Sequence, residues 1–286
     1  MSLQIVISGL LLGGMYALIA SGFSLINGVM KLFSFCHGAL VMVGAFVSYW
    51  AVSLLGINPF LTIPISMAVM FVLGYLIQRG IINFVVRAPI FMTLILTFGL
   101  DMVLMNAALL LWTGNLRTMT VPLSGVSIQF LDARIPVIRL VAFGIAIAVT
   151  IGLYVLMSKT RFGRGINAAR MDIDAAQLVG VKIPQVYAIT FGLGTMLAGA
   201  AGSLLAMVGP ISPSMGVLFS IKAFAICILG GSGSMWGPLV GGLLMGLLET
   251  TGVAIFGAGY QEAVSFFILL VVLIVRPRGI FGKEYF

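Results

Sequence analysis

With 286 residues, 61% of them hydrophobic and only 8% charged, and a mean hydropathy of +1.23, the chain excludes a water-soluble globular domain, whose surface needs about 25% charged residues. Its apolar stretches run on for about 20 residues, the length a helix needs to cross ~30 Å of hydrocarbon, whereas a membrane β-barrel would show ~10-residue strands of alternating polarity. The net charge of +8 would suit a nucleic-acid binder, but its distribution assigns it to membrane topology instead.

Nine apolar stretches follow in chain order, near 4–26, 36–55, 60–84, 90–112, 138–157, 185–208, 214–230, 238–257 and 262–275. The seventh and ninth are short for a full crossing. Either is a candidate for a broken or re-entrant helix, which a membrane tolerates where it is buried in protein, and their length leaves full or broken crossing open. The first stretch, MSLQIVISGLLLGGMYALIA, has no positive n-region and no A-x-A cleavage site, so it reads as a retained span rather than a signal peptide. The expected fold is an all-α polytopic membrane protein with about eight to ten transmembrane or re-entrant helices, forming one domain over 1–286. Cys36 and Cys227 lie in apolar stretches and are expected to be small packing residues rather than a disulfide.

The cations choose an orientation. An N-terminus outside places Lys31, Arg79, Arg87, Lys159, Arg161, Arg164, Arg170, Lys182, Arg276, Arg278 and Lys283 in inside segments, against Arg117, Arg134 and Arg139 outside. The positive-inside bias thus predicts a periplasmic N-terminus, a periplasmic loop over 113–137 and a cytoplasmic C-terminus. It also explains the positive charge without any nucleic acid. Glycines or small residues recur four apart at Gly9 and Gly13, Ala198 and Gly202, Gly237 and Gly241, and Gly242 and Gly246. That spacing lines one helix face and lets backbones approach closely.

One segment breaks the pattern. Residues 159–184 are polar and basic, and the cation count makes them a cytoplasmic loop. Asp172 or Asp174 is placed to N-cap a short helix. Residues 173–179 (IDAAQLV) are good helix formers, Gly180 suits the C′ position, and Pro184 opens the next span. The expectation is a basic arm, a two-turn helix and a tight exit. Leu178 and Val179 on that helix need a partner to bury them, as a helix set in a groove. The segment does not itself bind a nucleotide. Gly163, Gly165 and Ala168 fit G-x-G-x-x-A on paper, but the motif follows a membrane span instead of a strand. No Walker A sequence occurs in the chain, so any ATPase must be a separate subunit, and no cofactor is expected.

The stretch GRGINAARMDIDAAQLVGV resembles the cytoplasmic loop of the branched-chain amino-acid (LivH-type) permeases of bacterial ABC importers, with matches at Gly163, Arg164, Ala168, Arg170, Asp172, Ala175, Leu178 and Gly180. Residues 9–32, the glycine-rich LGGSGSMWGPLVGGLLMGLLE (229–249) and the ending VRPRGIFG (275–282) are similar to that family as well. The resemblance implies a type II-like permease of the bacterial inner membrane that hydrolyses nothing itself. It implies as partners a second, similar permease, two cytoplasmic ATP-binding subunits and a periplasmic solute-binding protein. The loop would be the coupling helix that docks on the ATPase, with Arg164, Gly165, Arg170, Asp172, Asp174, Leu178 and Gly180 as candidate coupling residues. The family's N-F-A-H-G followed by an acid is here Ser34-Phe35-Cys36-His37-Gly38-Ala39. That departure leaves the solute open among branched-chain amino acids, urea, short amides, aliphatic acids and aromatic compounds.

Asp101, Lys222 and Glu249 fall inside apolar stretches, where an ionisable group is costly and a functional candidate by default. Asp101 is spaced to hydrogen-bond Thr97 one turn back. Lys222 is expected to snorkel outward, and Glu249 to lie near an outer helix end. His37, the sole histidine, has no second ligand at helical spacing, so a hydrogen bond to a backbone carbonyl is expected rather than a metal. Ser34, His37, Thr97, Asp101, Lys222 and Ser232 form the candidate translocation pathway. The competing reading is an ion-coupled secondary carrier or channel, which has no need of a capped cytoplasmic helix.

Overall fold

The computed structural model describes residues 3–32, 34–86, 88–130, 133–231, 234, 236–275 and 279–281. Among them, seven helices are long and apolar enough to cross a membrane. These are α1 (Leu3–Met30), α2 (His37–Leu55), α3 (Pro59–Gly80), α4 (Ile90–Trp112), α5 (Val137–Lys159), α8 (Ile183–Val208) and α10 (Gly237–Phe256). Two shorter apolar helices, α9 (Met215–Gly230) and α11 (Gln261–Val275), occupy the two stretches marked as short. The polar insert holds α6 (Arg161–Met171) and α7 (Ile173–Leu178).

Two departures from expectation are local. The basic arm is helical: Thr160 caps it, and Ile166 and Ala169, three apart, turn into the body and are buried. The loop over 113–137 contains a two-stranded antiparallel hairpin, β1 (Ser127–Phe130) and β2 (Ala133–Pro136), with Ile128 opposite Ile135. Four-residue strands in a loop carry too weak an alternation to stand out beside 20-residue apolar runs.

Two ends of the bundle can be told apart. At the hairpin end, Gln4 near the start of α1 exchanges two hydrogen bonds with the backbone of Arg134, at 3.0 and 2.7 Å. Arg117 and Ile211 exchange two backbone bonds at 3.0 and 2.8 Å, which ties the 113–126 segment to the link between α8 and α9. Arg117 also stacks on Tyr49 and Trp50, 5.5 and 5.1 Å from the ring centres, so an aromatic box at the end of α2 holds this cation. At the other end, where α6 and α7 lie, Trp236 packs on Tyr154. The tail returns there, with the Ile280 N–H donating to the Leu229 carbonyl at 2.9 Å.

Close backbone approach explains the small-residue faces. The Gly9/Gly13 face of α1 meets the Gly242/Gly246 face of α10. A Cβ on Gly13 would stand 2.8 Å from the Leu243 Cα, and one on Gly246 2.5 Å from the Gly13 Cα. The Ala198/Gly202 face of α8 meets α2 in the same way, where a Cβ on Gly202 would reach the Val41 carbonyl at 2.2 Å. Lipid tails are as apolar as leucine, so such contact, rather than hydrophobic exclusion, holds helices together in a bilayer. Helix α8 is the buried hub, packed on α1, α2, α3 and α5. Helix α4 is peripheral and turns Phe91, Ile95, Val103 and Leu110 outward.

Candidate functional site

The α6–α7 segment is built by capping. Thr160 Oγ1 accepts from the Gly163 N–H at 3.0 Å and donates to the Leu156 carbonyl at 2.7 Å, so one hydroxyl joins α5 to α6. Gly163 is required where the chain turns, because a Cβ there would lie 2.3 Å from the Met157 carbonyl. Asp172, rather than Asp174, is the N-cap of α7: its Oδ1 accepts from the N–H groups of Asp174 and Ala175 at 2.9 and 3.0 Å. The Asp174 carboxylate sits in the first turn, where the helix dipole favours a negative charge. At the other end Gly180 takes φ +86°. Its N–H donates to the Gln177 carbonyl, and the Val181 N–H donates to that of Ala176. This is a Schellman closure at the predicted glycine.

Capping fixes which side chains face out. Ala176 is buried against the body, while Leu178 is 89% and Val179 78% exposed. Met171 and Phe162 on α6 are exposed as well. Arg164 is exposed, and its guanidinium donates to the Lys159 carbonyl at 3.5 Å. Arg170 is half-buried and points into a small cavity lined by Ser21, Tyr154, Ser234 and Pro238. An added Cβ on Gly165 meets nothing within 4 Å, so packing does not demand this glycine. The result is a rigid apolar ledge, edged with cations, standing proud of the bundle.

The buried polar candidates separate into two groups. Around the start of α2, His37 Nε2 contacts the Ile19 carbonyl at 3.0 Å, the expected backbone partner, with its ring edge-on to Phe23. The Gly38 N–H donates to Ser220 Oγ at 2.8 Å, and Ser220 donates in turn to the Phe35 carbonyl at 2.6 Å. Ser34 Oγ lies 3.2 Å from Cys36 Sγ, and the Phe35 N–H donates to Thr97 Oγ1 at 3.4 Å. Among the described residues the expected bond between Asp101 and Thr97 is not formed. The Thr97 hydroxyl donates back to the Leu94 carbonyl at 3.1 Å, and Asp101 Oδ1 is buried with no hydrogen-bond partner among the described residues.

Lys222 belongs to the second group, and the expectation that it snorkels is wrong. It is buried, with Nζ 2.7 Å from Glu249 Oε1 and 2.6 Å from Tyr16 Oη. Glu249 lies in the second half of α10, is fully buried, and lines a cavity with Arg139 and Gln261. It also accepts from Tyr16 Oη at 3.0 Å, from Gln261 Nε2, and from Ser265 Oγ at 3.1 Å. An attractive countercharge 27 residues away keeps the lysine from reaching outward. Four helices, α1, α9, α10 and α11, thus share one ion pair. Sequence reading misses Tyr16, Ser220, Gln261 and Ser265; the only signal is a polar residue facing an otherwise apolar helix. Ser232 and the cations Arg87, Arg276, Arg278 and Lys283 lie outside the described residues. Among the described residues no three His, Cys, Asp or Glu side chains cluster to hold a metal.

Residues 5–275 match the family model described as branched-chain amino acid transport system, permease component. The chain belongs to that family. The permease is 33% identical to the high-affinity branched-chain amino acid transport system permease protein BraD of Pseudomonas aeruginosa, over 98% of this chain and 96% of that one. It is 31% identical to the permease protein LivH of the same kind of system in Escherichia coli, over the same shares of the two chains. The probable branched-chain amino acid transport permease protein LivH of Methanocaldococcus jannaschii is 27% identical over 94% of this chain and 89% of its own. No solved structure matches the chain. The permease is therefore a multi-pass inner-membrane component of an ABC-type import system. Nothing in these similarities supports an ion-coupled carrier.

Proposed function

We propose that this permease forms part of the membrane path of an ATP-driven importer for branched-chain or other hydrophobic amino acids, or a related small organic solute. The names of its relatives support the solute class. Its partners would be a second, similar permease, two cytoplasmic ATP-binding subunits and a periplasmic binding protein. The observation that carries this reading is the ledge: Leu178 and Val179 are almost fully exposed on a helix capped at both ends. An exposed apolar pair on a rigid, polar-flanked helix is what a groove in a cytoplasmic subunit takes up. The N-terminus would be periplasmic, in keeping with the cation bias.

The chain performs no bond chemistry in this scheme. Closure of the ATP-binding subunits would move α7, and Asp172 would pass that motion to α6, because its side chain caps α7 while its backbone N–H donates to the Ala168 carbonyl at the end of α6. Ile166 and Ala169 would carry it into the bundle from their buried seats. The polar surroundings of Ser34, His37, Thr97 and Asp101 would border the solute path. Lys222, neutralised by Glu249, would brace the bundle instead.

The test is Leu178→Asp combined with Val179→Asp in the assembled transporter. Both side chains are exposed, so the membrane level of the chain is expected to stay normal. Solute uptake is expected to fall about tenfold or more, because an anchoring apolar contact has been replaced by charge. Unchanged uptake would remove the docking role of the ledge.

A further inference from the structure

A cleft of about 590 Å³ opens between the end of α3, the 3-10 turn Ile82–Phe84, α7 and the start of α8. Tyr75, Arg79, Asn83, Gln177, Lys182 and Gln185 supply its polar lining, and no acidic residue is among the residues lining it. Arg79 makes one hydrogen bond, to Tyr75 Oη at 3.2 Å. Neither Arg79 nor Lys182 has an ion-pair partner among the described residues. Lys182 is moreover the N-cap of α8, a helix with no side-chain cap and no acid in its first turn. A cation at the positive end of a helix dipole is unfavourable by itself. Two unpaired cations and a helix N-terminus therefore face one concave space, and a bound anion would relieve their repulsion.

The adjoining surface says which anion. Ile65, Val69, Val72 and Leu76 are exposed and recur at the three- and four-residue spacing that lines one helix face. Arg79 continues that same face one turn further. An apolar stripe turned toward hydrocarbon thus ends on a cation at the mouth of the cleft, with Tyr75 beside it in the role aromatic residues take at membrane interfaces. Phe84, next in sequence to Asn83 of the cleft lining, is 80% exposed. A water-soluble anion would use the cations but not the stripe. A phospholipid uses both.

We propose that the cleft binds the phosphodiester headgroup of an anionic phospholipid, held by Arg79 and Lys182, with its acyl chains along Ile65, Val69, Val72 and Leu76. Basic pockets between membrane helices recognise anionic headgroups through such charge complementarity. The inference needs only the membrane setting of the chain and is independent of the solute or the docking partner. Gln177 of α7 shares the cleft with Arg79 of α3, so the lipid would join the ledge to the bundle.

The experiment uses the purified full chain in neutral detergent. It is titrated with phosphatidylglycerol or phosphatidylcholine of matched acyl chains, and bound lipid is read by native mass spectrometry. One phosphatidylglycerol per chain is expected to bind in preference to phosphatidylcholine. Arg79→Gln with Lys182→Gln is expected to weaken phosphatidylglycerol about 30-fold, at about fivefold per cation, while leaving phosphatidylcholine unchanged. Arg79→Lys with Lys182→Arg should keep the preference, which separates lost charge from lost fold. Inorganic phosphate and glycerol phosphate should not displace the lipid at equal concentration. The proposal is overturned if the two lipids bind equally, if the Gln variant keeps its preference, if the charge-conserving variant loses it, or if free phosphate displaces the lipid. Loss of lipid when an ATP-binding subunit is added would reassign the cleft to protein docking and overturn it as well.

Discussion

Replacing Lys222 with methionine is expected to destabilise the bundle by about 3–5 kcal/mol, the cost of leaving a buried charge without its partner. Glu249 is fully buried and would keep Tyr16, Gln261 and Ser265 as neutral donors but lose the cation 2.7 Å away. Those donors lessen the penalty without removing it, since an ionised carboxylate in a low-dielectric interior needs a charge. The double variant Lys222→Met, Glu249→Gln is expected to unfold at a higher temperature than Lys222→Met alone. The second change removes the stranded charge and still accepts hydrogen bonds. Thermal unfolding of the four proteins of this cycle, in the same detergent, measures the coupling. Additive effects, or a Lys222→Met protein as stable as the parent, would show that the pair does not tie α1, α9, α10 and α11 together.

A valine at Gly242 is expected to be nearly as damaging, for a reason of shape alone. Its Cβ would stand 2.4 Å from the Ala17 backbone nitrogen and 2.5 Å from the Ala17 Cα. Backbone cannot swing aside as a flexible side chain can, so α1 and α10, the most extensively packed helix pair, must separate. Overpacking of a tight contact costs about 1–3 kcal/mol, and here the valine adds two methyl groups to the clash. Alanine at Gly152 of α5 is the control, because a Cβ there meets nothing within 4 Å. That change is expected to be neutral or to stabilise by about 0.5–1 kcal/mol, through helix propensity. Equal melting temperatures for the two variants would mean that the α1–α10 contact is not as close as described.

These two cases mark where sequence reading succeeds and stops. The four-residue spacing of Gly9 and Gly13, and of Gly242 and Gly246, identifies a close-packing face on each helix. Spacing cannot say that the two faces meet each other, because partner choice depends on how the whole bundle folds back. Lys222 and Glu249 are each visible as a charge inside an apolar stretch, yet nothing local pairs residues on different helices, and Tyr16 gives no signal within a strongly apolar run. Gly180 and Pro184 could be assigned, and the N-cap narrowed to Asp172 or Asp174, because capping is local: each acts on backbone groups within a few residues. The helical state of the basic arm was missed because tertiary burial of Ile166 and Ala169 stabilises α6, whose apolar spacing is brief and preceded by two glycines, Gly163 and Gly165, of low helix propensity.

In the proposed assembly the α6–α7 ledge is held from the cytoplasmic side by an ATP-binding subunit on another polypeptide. A cysteine at Leu178 tests it most directly, since both native cysteines are buried. Labelling with a membrane-impermeant maleimide is compared in inside-out and right-side-out vesicles, with and without the ATP-binding subunits. Rapid labelling is expected only in inside-out vesicles, with protection when the subunits are present. Labelling from the periplasmic side, or labelling that the subunits leave unchanged, would contradict that docking.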